Sequence, residues 1–240
     1  MALDFSVIWR NLPFLLEQGL LGIGAFGGGT LALAVPTIVL ATIVGIFVAL
    51  ARLSRFAVFR VPATAYVQLI RGVPLVMVVF WFWIFIPIAA GVTIPTYAVA
   101  LVAFVVFEAA YIGEIIRAGI QSVPRGQVEA ARATALGYGD AMRFVVLPQA
   151  FRNMLPSLVT QFVILFKDTS LASIIGYMDL TKAAQTVNNR EFRPFELYLF
   201  IAVVYFVFAY GLSLSARRLE RRMAKGRRTL ATATLRPAGA

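Results

Sequence analysis

Arg71, Glu108, Glu114, Arg117, Lys167 and Asp168 are charged side chains set in long apolar stretches. A charge surrounded by hydrocarbon is costly unless it meets a counter-ion, a polar network or water, so each marks a pinned contact or a functional path. Glu114 and Arg117 are three residues apart, on one face of a helix, and are expected to pair with each other. Glu108 has no short reach to water; Arg71 on a neighbouring helix is its expected partner, and a structural pair and a ligand role are equally open. Lys167 and Asp168 are adjacent and diverge by about 100° on a helix, so one is expected to line a path and the other a subunit contact. Thr169 and Ser170 add hydroxyls at the same depth, suited to hydrogen-bonding a bound polar group. Arg71 stands beside Gly72 and Pro74, where a helix is expected to break and line a cavity. Its other reading is a cation snorkelling to the membrane surface. The sequence has no cysteine and no histidine, which excludes disulfides, thiolate chemistry and the commonest transition-metal ligands. No catalytic residue, metal site or cofactor is expected.

The elements that must position these charges are membrane spans. Of 240 residues, 60% are hydrophobic and 14% charged, whereas soluble domains carry about a quarter charged residues. The uncharged run Gly72 to Phe107 holds 36 residues. As one helix it would measure roughly 54 Å, against a hydrocarbon core of about 30 Å. It must fold back, and Pro87, Gly91 and Pro95 supply the breaks. The fold class expected is an all-α membrane protein of five transmembrane helices, at about 30–50, 63–88, 95–120, 153–175 and 197–216. Gly27, Gly28 and Gly29 read as a flexible run before the first span. Residues 1–228 form one transmembrane domain, and 229–240 read as a disordered tail. Trp81, Phe82, Trp83 and Phe85 are expected to face lipid.

A formal charge of +11 raises nucleic acid as a partner, but eight of the 22 basic residues lie from Arg217 onward, beside the last apolar segment. Membrane lipid fits that placement and nucleic acid is not expected. Arg52, Arg55 and Arg60 follow the first span, Arg125, Arg132 and Arg143 lie between the third and fourth, and Lys225, Arg227 and Arg228 follow the fifth. Short basic loops stay cytoplasmic, which puts the N-terminus outside and the C-terminus inside. Met1 to Leu21 carries Asp4, Arg10 and Glu17 and does not read as a cleaved signal peptide.

One segment is not a span. Gln121 to Arg152 (residues 121–152) is too long for a minimal loop and too regular for disorder. Pro124 starts a first short helix, Gly137 and Gly139 interrupt it, and Asp140 starts a second that ends near Pro148. Ala130, Ala131 and Ala133 allow another surface to approach closely, and Val145 and Val146 offer apolar contact. Physical chemistry alone leaves two readings, a helix lying on lipid and a docking knob.

Here the sequence resembles a known family. Glu129, Ala130 and Ala131, followed by Leu147 and Pro148, resemble the EAA loop of ABC importer membrane subunits. Arg71, Gly72 and Pro74, Gly113 to Gln127 (GEIIRAGIQSVPRGQ), Leu147 to Arg152 (LPQAFR) and Phe166 to Ile174 (FKDTSLASI) resemble the polar amino-acid branch. The likeness is strongest to the glutamate/aspartate branch, through Arg71 to Pro87 and Phe107 to Ser122. The resemblance implies a non-catalytic permease subunit of an ATP-driven importer in the bacterial inner membrane. Its implied partners are a dimeric ABC ATPase, a second permease subunit and an extracytoplasmic substrate-binding protein. It implies ATPase coupling through Glu129, Ala130, Ala131, Gly137, Leu147 and Pro148, and a substrate path past Arg71, Glu108, Lys167, Asp168, Thr169 and Ser170. The chain has no phosphate-binding loop of the form GxxxxGK[ST], so ATP hydrolysis is expected of the partner. The family places glycine six residues after the motif glutamate, where this chain has Ala135. The helix break is therefore expected at Gly137 to Gly139, with a longer first coupling helix. The reading from another class is an ion-coupled transporter or channel using Glu108 and Asp168.

Overall fold

The computed structural model describes residues 3–23 and 28–234. They form helices in the order α1 (Ser6–Pro13), α2 (Thr30–Leu53), α3 (Ala57–Arg71), α4 (Leu75–Ala90), α5 (Thr96–Gln121), α6 (Arg125–Ala133), α7 (Tyr138–Asp140), α8 (Leu147–Asp168), α9 (Leu180–Glu191) and α10 (Pro194–Thr234). There is no strand among the described residues. Among the described residues, four helices are long and apolar enough to cross a membrane: Thr30–Leu53, Thr96–Gln121, Tyr138–Ile175 and Pro194–Ser215. The pair α3 and α4 makes a fifth if counted as one span, and it is bent by 107°.

That bend falls at Arg71, Gly72 and Pro74, where a break was expected within the span at 63–88. Pro74 has no N–H to donate and disfavours helical geometry at Val73, so the ladder stops after Gly72, whose N–H reaches Gln68 O at 3.1 Å. The Pro74 carbonyl then accepts from Met77 N at 3.0 Å and opens α4.

The fourth span is also longer than expected. Tyr138 begins a helix that passes through a π-helical turn at Ala141–Val146 into α8 and on through a 3₁₀ turn at Thr169–Ile175. No second coupling helix ends near Pro148. The helix runs through Pro148, which directly follows the π-helical turn at Ala141–Val146, an irregularity of the hydrogen-bond ladder. The break expected at Gly137 to Gly139 lies earlier. Ala135 has φ 60°, its N–H reaches Arg132 O at 3.0 Å, and Leu136 N reaches Ala131 O at 3.3 Å. This paired hydrogen bonding is the left-handed closure that usually carries glycine. Helix α10 continues through Thr229 to Thr234, where a disordered tail was expected; residues 235–240 lie outside the described residues.

Helix α5 is the most buried candidate span and α10 the least. Around α5, Val99, Ala100, Ala103 and Phe104 pack on Val67 and Ile70 of α3 and on Leu75, Val78 and Val79 of α4. Helices α2 and α5 approach through glycine: a Cβ on Gly45 would lie 2.9 Å from Ile112 Cγ2, and one on Gly113 would lie 3.1 Å from Gly45 O. Small residues let backbones meet where lipid gives no hydrophobic drive.

Gly29, expected in a flexible run, is instead tied down. It has φ 110°, donates from N to Met178 O at 2.6 Å, and its carbonyl accepts from Tyr177 Oη at 2.9 Å. Gly27 lies outside the described residues. Trp81 and Phe85 are exposed, as expected of side chains facing lipid.

Candidate functional site

Two places gather most of the residues singled out above. The first is a cavity of about 520 Å³ at the α3–α4 bend, lined among others by Arg71, Pro74, Phe107, Tyr111, Gln161 and Asp168. The break frees Arg71 to end α3 with its guanidinium over the Tyr111 ring, 5.3 Å from the centroid. Such stacking favours a cation that is planar and weakly hydrated. Asp168 is half-buried at the end of α8. The cavity thus presents a cation, a carboxylate and an amide.

Glu108 lies behind this wall and is fully buried. Its Oε2 accepts from Gln161 Nε2 at 2.9 Å, and Oε1 has no partner. The expected pairing with Arg71 is therefore corrected. Gln161 on α8 faces Glu108 directly, whereas Arg71 is drawn to Tyr111. Glu114 does meet Arg117, whose Nε donates to Oε2 at 3.0 Å, and it meets Arg52 of α2 as well.

Lys167 and Asp168 diverge as the helical repeat requires. Lys167 is exposed and lines a separate groove of about 450 Å³ with Tyr205, Tyr210 and Ser213 of α10. Thr169 and Ser170 do not line the Asp168 cavity. The Thr169 hydroxyl donates to Phe166 O at 2.7 Å and is used within the helix.

The second place is the knob between α5 and α8. Val123, Val146 and Ala150 form its own small core, with Val128 and Met142 packed against them. Glu129, Ala130, Gly137, Leu147 and Pro148 are exposed, while Ala131 is buried within the knob. Val146, expected to offer apolar contact, is likewise turned inward and Val145 is half-buried. The apolar surface is supplied instead by Tyr138 (71% exposed) and Phe144 (63%). Sequence reasoning passes over both, as it passes over Gln161, Tyr111 and the pairing of Arg52 with Glu114. The only signal for the first two is a large aromatic on the face of a short helix opposite the core.

A family model described as "Binding-protein-dependent transport system inner membrane component" matches residues 41–225. The chain belongs to this family. It is 40% identical over 229 residues to the glutamate/aspartate import permease protein GltK of Escherichia coli O6:H1, covering 92% of this chain and 98% of that one. It is 34% identical over 224 residues to the glutamine transport system permease protein GlnP of Escherichia coli K12, covering 93% and 99%. A crystal structure of an amino acid ABC transporter superposes with TM-score 0.84 at 34% identity, covering 92% of this chain and 100% of that chain. The methionine transporter MetNI, inward facing, superposes with TM-score 0.69 at 20% identity and shows the shared fold. The protein is thus an amino-acid ABC permease subunit, a multi-pass component of the inner membrane whose homologues are membrane transport components.

Proposed function

We propose that this permease forms half of an ATP-driven import pathway for acidic amino acids, glutamate and aspartate, and that the cavity at the α3–α4 bend is part of the path. The observation that carries the reading is the convergence of Arg71 and Asp168 on one cavity of about 520 Å³. A zwitterion with an extra carboxylate needs both signs of charge, and a cation at bilayer depth is retained only where it has a use. The likeness to GltK supports the acidic substrate.

In this reading the N-terminus is outside and the C-terminus inside, so that the basic segments and the knob face the cytoplasm. A second permease subunit completes the path, and an extracytoplasmic binding protein delivers substrate to it. A dimeric ABC ATPase docks on the knob around Glu129, Ala130, Gly137, Leu147 and Pro148, and its closure is transmitted through the unbroken helix from Tyr138 into α8. Because that helix carries Asp168, movement of the knob reaches the cavity wall directly. Membrane lipid covers the outward faces of α2 and α10.

Docking is tested with Glu129→Ala. The variant should insert normally and co-purify poorly with the ATPase, with affinity lower by about ten-fold. Wild-type affinity together with wild-type transport would remove Glu129 from the contact.

A further inference from the structure

Helix α2 ends at Leu53 with Arg52 in its last turn. Helix α5 carries Glu114 two turns, and Arg117 one turn, before its own end at Gln121. The Glu114 carboxylate is shared between two guanidiniums. Arg117, on the same helix, donates from Nε to Oε2 at 3.0 Å and from Nη2 to Oε1 at 2.5 Å. Arg52 of α2 donates from Nη1 to Oε2. All three side chains are half-buried. Arg117 by itself neutralises the carboxylate, and Gly45 and Gly113 already bring the two helices into contact. The bond from Arg52 adds what that contact lacks. Small residues let helices meet closely but leave them free to slide, whereas displacing a shielded ion pair separates charges away from water and so fixes one register.

The place of this tie in the chain gives it a use. Helix α5 runs into the knob through Ser122, whose N–H reaches Ala118 O at 2.9 Å, and through Val123 in the knob's own core. Arg117 donates to Gln121 Oε1 at the same end. On the other side, only the three residues Ser54 to Phe56 separate α2 from α3, and α3 ends at Arg71 on the cavity. We propose that the Arg52–Glu114 ion pair makes α2 and α5 move as one body, so that displacement of the knob reaches the cavity along α5, α2 and α3 as well as along α8. Arg52 and Glu114 are positioning residues and neither touches substrate. This rests on the reading of the knob as the ATPase dock.

The chain has no cysteine, so one engineered pair gives an unambiguous cross-link. A Cβ on Gly45 would lie 3.2 Å from Ile112 Cβ, close to the roughly 3.5–4.5 Å that a disulfide spans. The test reconstitutes Gly45→Cys/Ile112→Cys with the ATPase and the binding protein and measures import and ATP hydrolysis in the oxidised and reduced forms. Import should be the same in both. Import that stops on oxidation and returns on reduction would mean that α2 and α5 slide past each other during transport, which overturns the inference. Arg52→Met keeps the apolar stem and leaves Glu114 paired with Arg117. It should lower the amino acid imported per ATP hydrolysed by about five-fold, the lower range of coupling between linked sites, and the oxidised cysteine pair added to the same chain should restore the ratio. A lower melting temperature with an unchanged ratio would make the pair purely structural and sink the proposal, as would a lowered ratio that the cross-link leaves lowered. If the cysteine pair is inactive in both forms, the ratio in Arg52→Met alone decides. Glu129→Ala separates this inference from the docking reading. Wild-type ATPase affinity and ratio in that variant remove the dock and this inference with it, whereas weakened docking there beside an unchanged ratio in Arg52→Met removes this inference alone.

Discussion

Ala135 closes α6 with φ 60°, a conformation that costs an L-residue with a Cβ roughly 1–2 kcal/mol. The hydrogen bonds from Ala135 N and Leu136 N hold it there. Ala135→Gly should therefore raise stability by about 1 kcal/mol, read as a higher melting temperature of the detergent-purified protein. A lower melting temperature would mean that the left-handed closure is not adopted. The sequence points to Gly137 and Gly139 because glycine is the usual carrier of this geometry. What decides the position is the pair of backbone hydrogen bonds, which no residue type announces. The same limit explains the charged sites. Arg71, Glu108 and Asp168 are legible because charge is rare in apolar runs. Gln161 is not, because a neutral amide leaves no mark in a charge pattern and its role comes only from standing opposite Glu108. Lys167 and Asp168 are legible as a diverging pair because 100° per residue requires it.

Among the elements, the spans at α2, α5 and α10 are legible from hydropathy and flanking arginines. The segments at 63–88 and 121–152 are less so. Pro74 reads as a local interruption, yet the 107° turn between α3 and α4 follows from packing: Val67 and Ile70 below the bend and Leu75, Val78 and Val79 above it all reach for α5. Pro148 reads as an end to a helix and instead lies within one, directly after the π-helical turn at Ala141–Val146. The contact of α2 with α5 carries its own prediction. A Cβ on Gly113 would meet Val48 Cγ1 at 3.0 Å and Gly45 O at 3.1 Å. Gly113→Val should therefore push the helices apart and destabilise the protein by about 1–3 kcal/mol, with Gly113→Ala milder. Thermal unfolding of the two variants beside wild type checks the order, and equal melting temperatures would mean that the helices do not touch there.

At the scale of the molecule, one helix links the two candidate sites. The knob carries Glu129 and the exposed Tyr138 at one end, and the helix that starts at Tyr138 passes through α8 to Asp168 at the cavity. A π-helical turn at Ala141–Val146 lies between them, the kind of irregularity found where helices bend or carry function. The proposed function joins the energy source to the path through this element, with Asp168 proposed to touch substrate. The most direct measurement is ATP-driven uptake of labelled glutamate into proteoliposomes holding the permease, its ATPase and the binding protein, with wild type beside Asp168→Asn. The account predicts uptake only when ATP is supplied on the ATPase side, and a fall of about ten-fold in the variant at equal assembly of the complex. Uptake that proceeds without ATP, or that is unchanged in Asp168→Asn, would contradict it.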